Sequence, residues 1–426
     1  MPTNAMSRNT QGATQPYDQL GRWIDAHHSE QVEFLREIVR VPSDTPPGDN
    51  APAAEKAAEL LTRLGFDVER HPVPAEFLRE YGMTSVTNLI VRHRFGAEGP
   101  VIALNAHGDV VPPGEGWTKP PYGGVIEDGH MYGRGAAVSK SDIATYTYAL
   151  ASLRALAETG VTLGGGVELH FTYDEELGGL AGPGFLLDNK LTKPDYAIAA
   201  SFSYAVVTAH NGCLQFEVTV HGKSGHGAMP ETGRDAFRAG VAVLDAIYAE
   251  ADALRAQKSS VEGIDHPTMI VGLISGGINT NVVPDRLTFR MDRRMTPEED
   301  PAVVEASVRR LIADAVAAHD GIRVEVKRLL LANALKPRAG HETLVAAIQR
   351  HGARIFGEDI PAVGVPLYAD ARLYGEHGIP IVMYGAGPRT IAESNAKRPD
   401  ENLRLEDLRR ATQVVAATVC DVLCGR

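Results

Sequence analysis

The sequence predicts an α/β protein: a mixed sheet flanked by helices, interrupted by an inserted four-stranded βαββαβ unit. Three observations predict it. Short apolar runs alternate with stretches of helical periodicity in the first half of the chain. A self-contained strand–helix–strand–strand–helix–strand series follows over 213–328. The first pattern then resumes and runs to the C-terminus. The expected organisation is a polar, disordered lead at 1–16, a discontinuous main domain at 17–212 and 329–426, and an inserted domain at 213–328.

The elements can be justified in order. In AAEKAAELLTRLGF, Ala57, Leu60, Leu61 and Leu64 fall at i, i+3, i+4 and i+7, and Gly65 stops the helix. TNLIV (87–91), VIALN (101–105) and VELHFTY (167–173) read as strands, the last preceded by a helix over roughly 142–158. In the insert, LQFEVTVHG is a strand. RDAFRAGVAVLDAIYAEADAL is a helix with Phe237, Val241, Leu244 and Tyr248 on one face. TMIVGLISGG and DRLTFRMDRR are strands, and PAVVEASVRRLIADAVAAH is a second helix aligning Val304, Val308, Leu311 and Ala315. IRVEVKRL closes the unit. LVAAIQRHGARIFG, IPIVMYGAG and a final helix then return to the first pattern.

Composition excludes several classes of function. The 426 residues carry 44% hydrophobic and 23% charged side chains, enough for two or three packed cores. A formal charge of −12 repels phosphate backbones, and no Lys/Arg cluster offsets it, so nucleic-acid binding is not expected. Three cysteines, Cys213, Cys420 and Cys424, make no disulfide framework and fit a reducing compartment. The first residues lack an apolar core of the secretory type, and no run approaches the roughly 18 apolar residues of a membrane span. A soluble cytoplasmic protein is expected.

Two short motifs suggest chemistry. His107-x-Asp109 ends a buried strand, so both side chains point the same way. Glu175 and Glu176 end another. A carboxylate left free to take a proton, beside one neutralised by a cation, suits general-base catalysis. The competing readings are a His–Asp pair that only braces a loop and two solvated turn acids.

Seven blocks occur in order: NAHGDVVPPGEGW (105–117), MYGRGAAVSKSD (131–142), FTYDEELGG (171–179), HGKSGHGAMPETGRDAF (221–237), GGINTNVVPDRLTFRMDRR (276–294), DARLYGEHGIPIVMYGAGP (370–388) and NAKRPDEN (395–402). Together they resemble the aminoacylase, acetylornithine deacetylase, succinyl-diaminopimelate desuccinylase and carboxypeptidase G superfamily of zinc exopeptidase-like amidohydrolases. The resemblance implies a catalytic α/β domain, an inserted lid that usually dimerises, and hydrolysis of small carboxylated amides. It implies a divalent metal (Zn, Mn or Co), with His107 and Glu176 as ligands, Asp109 bracing His107, and Glu175 as the base. On the lid, His226 matches an oxyanion donor, and Asn281 and Arg294 match residues that grip a substrate carboxylate. Arg372 and Gly387 match substrate-contacting positions on the catalytic domain.

The chain also departs from the pattern. Val138 stands where the resemblance implies the metal-bridging Asp, Ser201 where it implies a carboxylate ligand, and Lys397 where it implies the last His ligand. A catalytic zinc normally has three protein ligands and a water. Two remain, so at most one labile ion is expected, or none. Asp142, one helical turn beyond Val138, Glu393, four residues before Lys397, and His210 are the candidate replacements. Losing two carboxylates and gaining an ammonium shifts the site's charge in the sense a metal would, so Lys397 could neutralise Glu176. Ser139-Lys140-Ser141 could in principle supply a nucleophile, but adjacent helical residues point apart. The leading expectation is therefore a C–N hydrolase. The alternatives are a metal-free lyase or isomerase run by Glu175 and Lys397, and a non-catalytic small-molecule binder.

Overall fold

The computed structural model describes residues 15–426. The polar lead expected at 1–16 falls outside the described residues, except for Gln15 and Pro16, which open the helix Gln15–Val39. The chain divides into two compact units: Met1–Thr208 with Pro337–Ala362 and Leu373–Arg426, and Ala209–Lys336 with Val363–Arg372.

The first unit is built on a mixed sheet. The strands that lie wholly within it run in the order Val68–Pro72, Thr87–Arg94, Gly166–Thr172, Val101–His107, Tyr196–Ala199 and Ile381–Met383. Val101–His107 lies between Gly166–Thr172 and Tyr196–Ala199 and is parallel to both. Thr87–Arg94 joins antiparallel, so the sheet is mixed, as the alternating pattern predicts. Parallel strands are covered on both faces and so read as near-continuous apolar runs. Accordingly Ile102, Ala103, Leu104 and Ala106 are all buried, as are Val167, Leu169 and Phe171.

Helices supply the cover. Lys140–Glu158 packs against Gln15–Val39 and Leu405–Leu423, and is buried on almost every side, so it shows no single apolar stripe. The expected helix at Ala57–Leu64 forms as Ala51–Arg63, capped by Leu64. Gly65 follows at φ +78°, a left-handed turn that glycine adopts without strain.

One element had no signal in the sequence. Val125–Glu127, His130–Tyr132 and Asn402–Arg404 form a small antiparallel sheet in which Met131 faces Leu403. Below it, Arg134 and Glu401 form a buried ion pair at 2.5 Å. This sheet draws the segment leading to Val138 towards the segment that follows Lys397.

The second unit is the βαββαβ series the sequence predicts. Its four strands are ordered Thr268–Gly276, Arg286–Met295, Gly212–His221 and Arg323–Ala332, with every neighbouring pair antiparallel. The helix Pro301–Val316 buries Val304, Val308 and Ile312, with Leu311 and Ala315 half-covered. The helix Ala236–Leu254 corrects the sequence reading. Its buried face is Ala236, Ala239, Gly240, Val243 and Ile247, whereas Phe237, Val241 and Tyr248 are exposed. This helix carries two apolar stripes, so periodicity alone could not choose between them. Gly240 decides the matter, because a Cβ there would collide with the Leu287 side chain.

Candidate functional site

Three parallel strands end at one edge of the first unit's sheet, where side chains converge without crossing the sheet. His107 is the last residue of Val101–His107 and faces Thr172 across the ladder. Asp109 follows, fully buried. Its two carboxylate oxygens accept the backbone N–H groups of Glu175, at 3.2 Å, and of Glu176, at 3.0 Å. Both glutamates sit on the one-turn helix Glu175–Leu177. Asp109 therefore braces the acidic turn as well as the histidine. His107 Nδ1 lies 3.0 Å from the Asp109 carbonyl oxygen and 3.4 Å from its carboxylate, which leaves Nε2 on the Glu175 side, 3.9 Å from Oε2.

Lys397 completes this arrangement. Its ammonium donates to Glu176 Oε2 at 2.6 Å. The Glu176 side chain is only 7% exposed, while that of Lys397 is 49% exposed, so the stem reaches in from solvent and its tip meets the closed-in acid.

The electrostatics follow from this geometry. Burial would lower the His107 imidazole, but Glu175, Asp109 and Glu176 outweigh it and push it up to about 10. Burial pushes Glu176 up to about 7, with Lys397 pulling the other way and Glu175 adding to the rise. Burial alone would lower Lys397, yet Glu176 and Glu175 hold it above the usual lysine range. The site is thus a closed-in pair of acids held between the His107 ring and the Lys397 ammonium.

The candidate replacement ligands lie elsewhere or are engaged. Asp142 is fully buried, its Oδ1 accepts the Ala386 N–H at 2.6 Å, and burial pushes it up to about 7. Glu393 is exposed, and the acid that feels its charge is Asp407. His210, in the second unit, holds its Nδ1 2.9 Å from the Asn211 carbonyl, and burial lowers it to about 4. Val138 has an alkyl side chain, and its N–H is taken by Glu401 at 3.2 Å. The Ser201 carbonyl accepts the Gly387 N–H at 2.8 Å. Among the described residues, no group of three or more His, Cys, Asp or Glu side chains is placed to hold a metal ion. The donor set therefore does not fit the divalent metal that the resemblance implies.

The Ser139–Lys140 nucleophile is not assembled either. Ser139 Oγ donates to the His107 carbonyl at 3.0 Å and accepts its N–H at 3.1 Å. Lys140 turns the other way, donating to the Ile38 and Val41 carbonyls at 3.1 and 2.8 Å. Burial lowers that lysine to about 8. Gly387 is needed for a local reason, since a Cβ there would lie 2.6 Å from the Ser201 carbonyl oxygen.

The second unit gathers its own set. Gly225–His226 pairs with Val282–Val283, and the Gly227 N–H donates to the Asn281 carbonyl at 2.8 Å, so Asn281, in the turn before the second strand, lies close to His226. His226 Nδ1 accepts the Ala228 N–H at 3.1 Å, which puts the proton of the neutral ring on Nε2. Arg294 is anchored through Nε to Asp292 at 2.7 Å and lies 5.1 Å from the Tyr368 ring centre. Arg372, expected on the catalytic domain, is buried in this unit. Sequence reasoning missed Asp292, Tyr368 and the Arg134–Glu401 pair. Asp292 could have been inferred from the alternation of MDRR, and the other two carried no local signal.

A sequence profile of Peptidase family M20/M25/M40 matches residues 103–421. The chain belongs to this family of hydrolases. Succinyl-diaminopimelate desuccinylase of Methylorubrum populi is 28% identical over 397 residues, spanning 88% of this chain and 94% of its own. Human carnosine dipeptidase 1 superposes with a TM-score of 0.75 at 19% identity, covering 96% of this chain and 99% of that one. The YXEP protein of Bacillus subtilis, described as a dinuclear metal-binding peptidase of family M20, superposes at 0.62 and 20% identity, covering 94% and 99%. Both structural likenesses are likenesses of fold, and they agree with the α/β architecture read from the sequence.

Proposed function

We propose that the protein hydrolyses the C–N bond of a small carboxylated amide, an N-acyl amino acid or a dipeptide. The observation that carries this reading is Glu175. It stands on an Asp109-braced turn with His107 Nε2 3.9 Å away, while the neighbouring Glu176 is neutralised by Lys397. Glu175 takes a proton from water as the water oxygen bonds to the carbonyl carbon. The C–N bond then breaks, and the same proton passes from Glu175 to the departing nitrogen, giving a carboxylic acid and an amine, which exchange the remaining water proton to leave as carboxylate and ammonium. The desuccinylase and dipeptidase names of the relatives support this substrate class.

The second unit carries groups of its own that suit binding of a small carboxylated amide. His226, with its proton on Nε2, is a donor for a developing oxyanion, a role worth on the order of 3 kcal/mol in such sites. Asn281, Arg294 and Arg372 are the candidates for the carboxylate, for which a guanidinium fork is suited. On the first unit, Gly387 is the candidate substrate contact that the resemblance implies. A homodimer formed through the second unit is supported by its edge strand, where Ile270, Leu273 and Ile274 are all exposed. No helix among the described residues is long and apolar enough to cross a membrane. All three cysteines are unpaired, which supports a reducing compartment such as the cytoplasm.

The test is an assay of wild type and Glu175→Gln against N-succinyl, N-acetyl and dipeptide substrates in ¹⁸O-water. Turnover of wild type alone, with ¹⁸O in the carboxylate product, supports hydrolysis. The Lys397–Glu176 pair favours a second reading, metal-free elimination or isomerisation, which would give product without ¹⁸O. Ligand binding without turnover, indifferent to Glu175→Gln, would mark a binder.

A further inference from the structure

In the first unit, the positive charge offered to Glu176 belongs to the chain itself. The Lys397 ammonium is 2.6 Å from Glu176 Oε2. Lys397 holds a left-handed φ of +60°, and its loop is pinned by the Arg398 N–H to the Asn395 carbonyl at 2.8 Å. Residues with a Cβ adopt that conformation only where the surroundings impose it. The backbone from which the lysine projects is thus set by its loop.

The remaining acids nearby already have partners. Asp109 holds the N–H groups of Glu175 and Glu176. Asp142 holds that of Ala386, and Glu401 holds Arg134, Ala137 and Val138. Val138 and Ser201 stand where the resemblance implies two acids, a difference of about two negative charges, and Lys397 stands where it implies a neutral His, a difference of one positive charge. All three departures from the implied pattern have the sign that would offset the absence of a bound cation.

We propose that Lys397 is the resident cation of this site, an ammonium in the electrostatic place of divalent metal, and that the site operates with no bound metal ion. This rests on the reading above only in taking the Glu175 turn as the reacting centre, and its test uses no substrate. The full-length protein is incubated with zinc or manganese, gel-filtered, and examined by elemental analysis and thermal melting. Wild type is expected to retain well under one ion per chain, with a melting temperature unmoved by zinc or by EDTA. The variant Val138→Asp/Ser201→Glu/Lys397→His, which restores the implied ligand types, is expected to retain zinc and to melt higher in its presence. Near-stoichiometric metal in wild type would overturn the proposal whatever the variant does. A triple variant that melts cooperatively yet takes up no zinc would overturn it too. Failure of the hydrolase reading would leave both metal measurements untouched.

Discussion

Lys397 Nζ lies 2.6 Å from Glu176 Oε2, a contact between residues 221 positions apart in the chain. Lys397→Met should leave Glu176 closed in beside Glu175 with no nearby ammonium. Half of the lysine is in solvent, so the loss should be modest, about 1–2 kcal/mol rather than that of a fully buried pair. Glu176→Gln added to Lys397→Met should recover most of it. Urea titrations of the four proteins measure the coupling, and strictly additive losses would show that the pair does not form.

Asp109 is a stronger anchor. It is fully buried and accepts two backbone N–H groups, so Asp109→Ala orphans two buried donors at once. A cost of about 2–4 kcal/mol is expected. Asp109→Asn, which keeps one acceptor oxygen, should fall between. Turnover should drop in both, because the same bonds position Glu175. An alanine variant as stable as wild type would remove Asp109 from this role.

Much of this arrangement was legible in the sequence, for local reasons. The strand ending at His107, the acidic turn at Glu175 and the βαββαβ insert each follow from periodicity or spacing within a short window. The Lys397–Glu176 pairing was legible only through charge, as three departures of one sense from the pattern that the resemblance implies. Two kinds of feature were not legible. Ala236–Leu254 has two apolar stripes, and only the close approach of Leu287 at Gly240 selects one. The Arg134–Glu401 pair and the sheet joining Met131 to Leu403 depend on long-range pairing that no local pattern encodes.

Gly385 tests how tightly the floor of the site is built. A Cβ there would fall on the Asp142 carboxylate, which is itself fixed to the Ala386 N–H. Gly385→Ala should therefore force a backbone shift and destabilise by about 1–3 kcal/mol. Gly378→Ala is the control for a glycine with open space, although its φ of +78° carries its own strain. If Gly385→Ala unfolds at the wild-type urea concentration, the close approach is not real.

The edge strand Thr268–Gly276 should set the oligomeric state. Leu273 is 61% exposed and Ile274 58%, and a long apolar edge of this kind is normally covered. Leu273→Lys/Ile274→Lys should shift a dimer to a monomer in sedimentation while leaving the melting of each unit intact. Wild type that sediments as a monomer at all concentrations would end the dimer proposal.

Acid should unfold the first unit through Glu168. Burial would raise this carboxyl, but His170, Thr192 and Arg92 outweigh it and hold it down at about 2, against an ordinary 4.5. The unfolded chain therefore binds a proton more readily than the folded one. The resulting stability is fully present above about pH 4.5 and is lost as pH falls towards 2, amounting to about 3 kcal/mol. His170 Nε2 lies 2.9 Å from Glu168, so the same protonation weakens a buried contact inside the sheet. Glu168→Gln should start less stable at pH 6 and lose less on acidification. The two urea midpoints should thus converge as pH drops through the window, and midpoints that fall in parallel between pH 5 and 3 would show that Glu168 is not the group responsible.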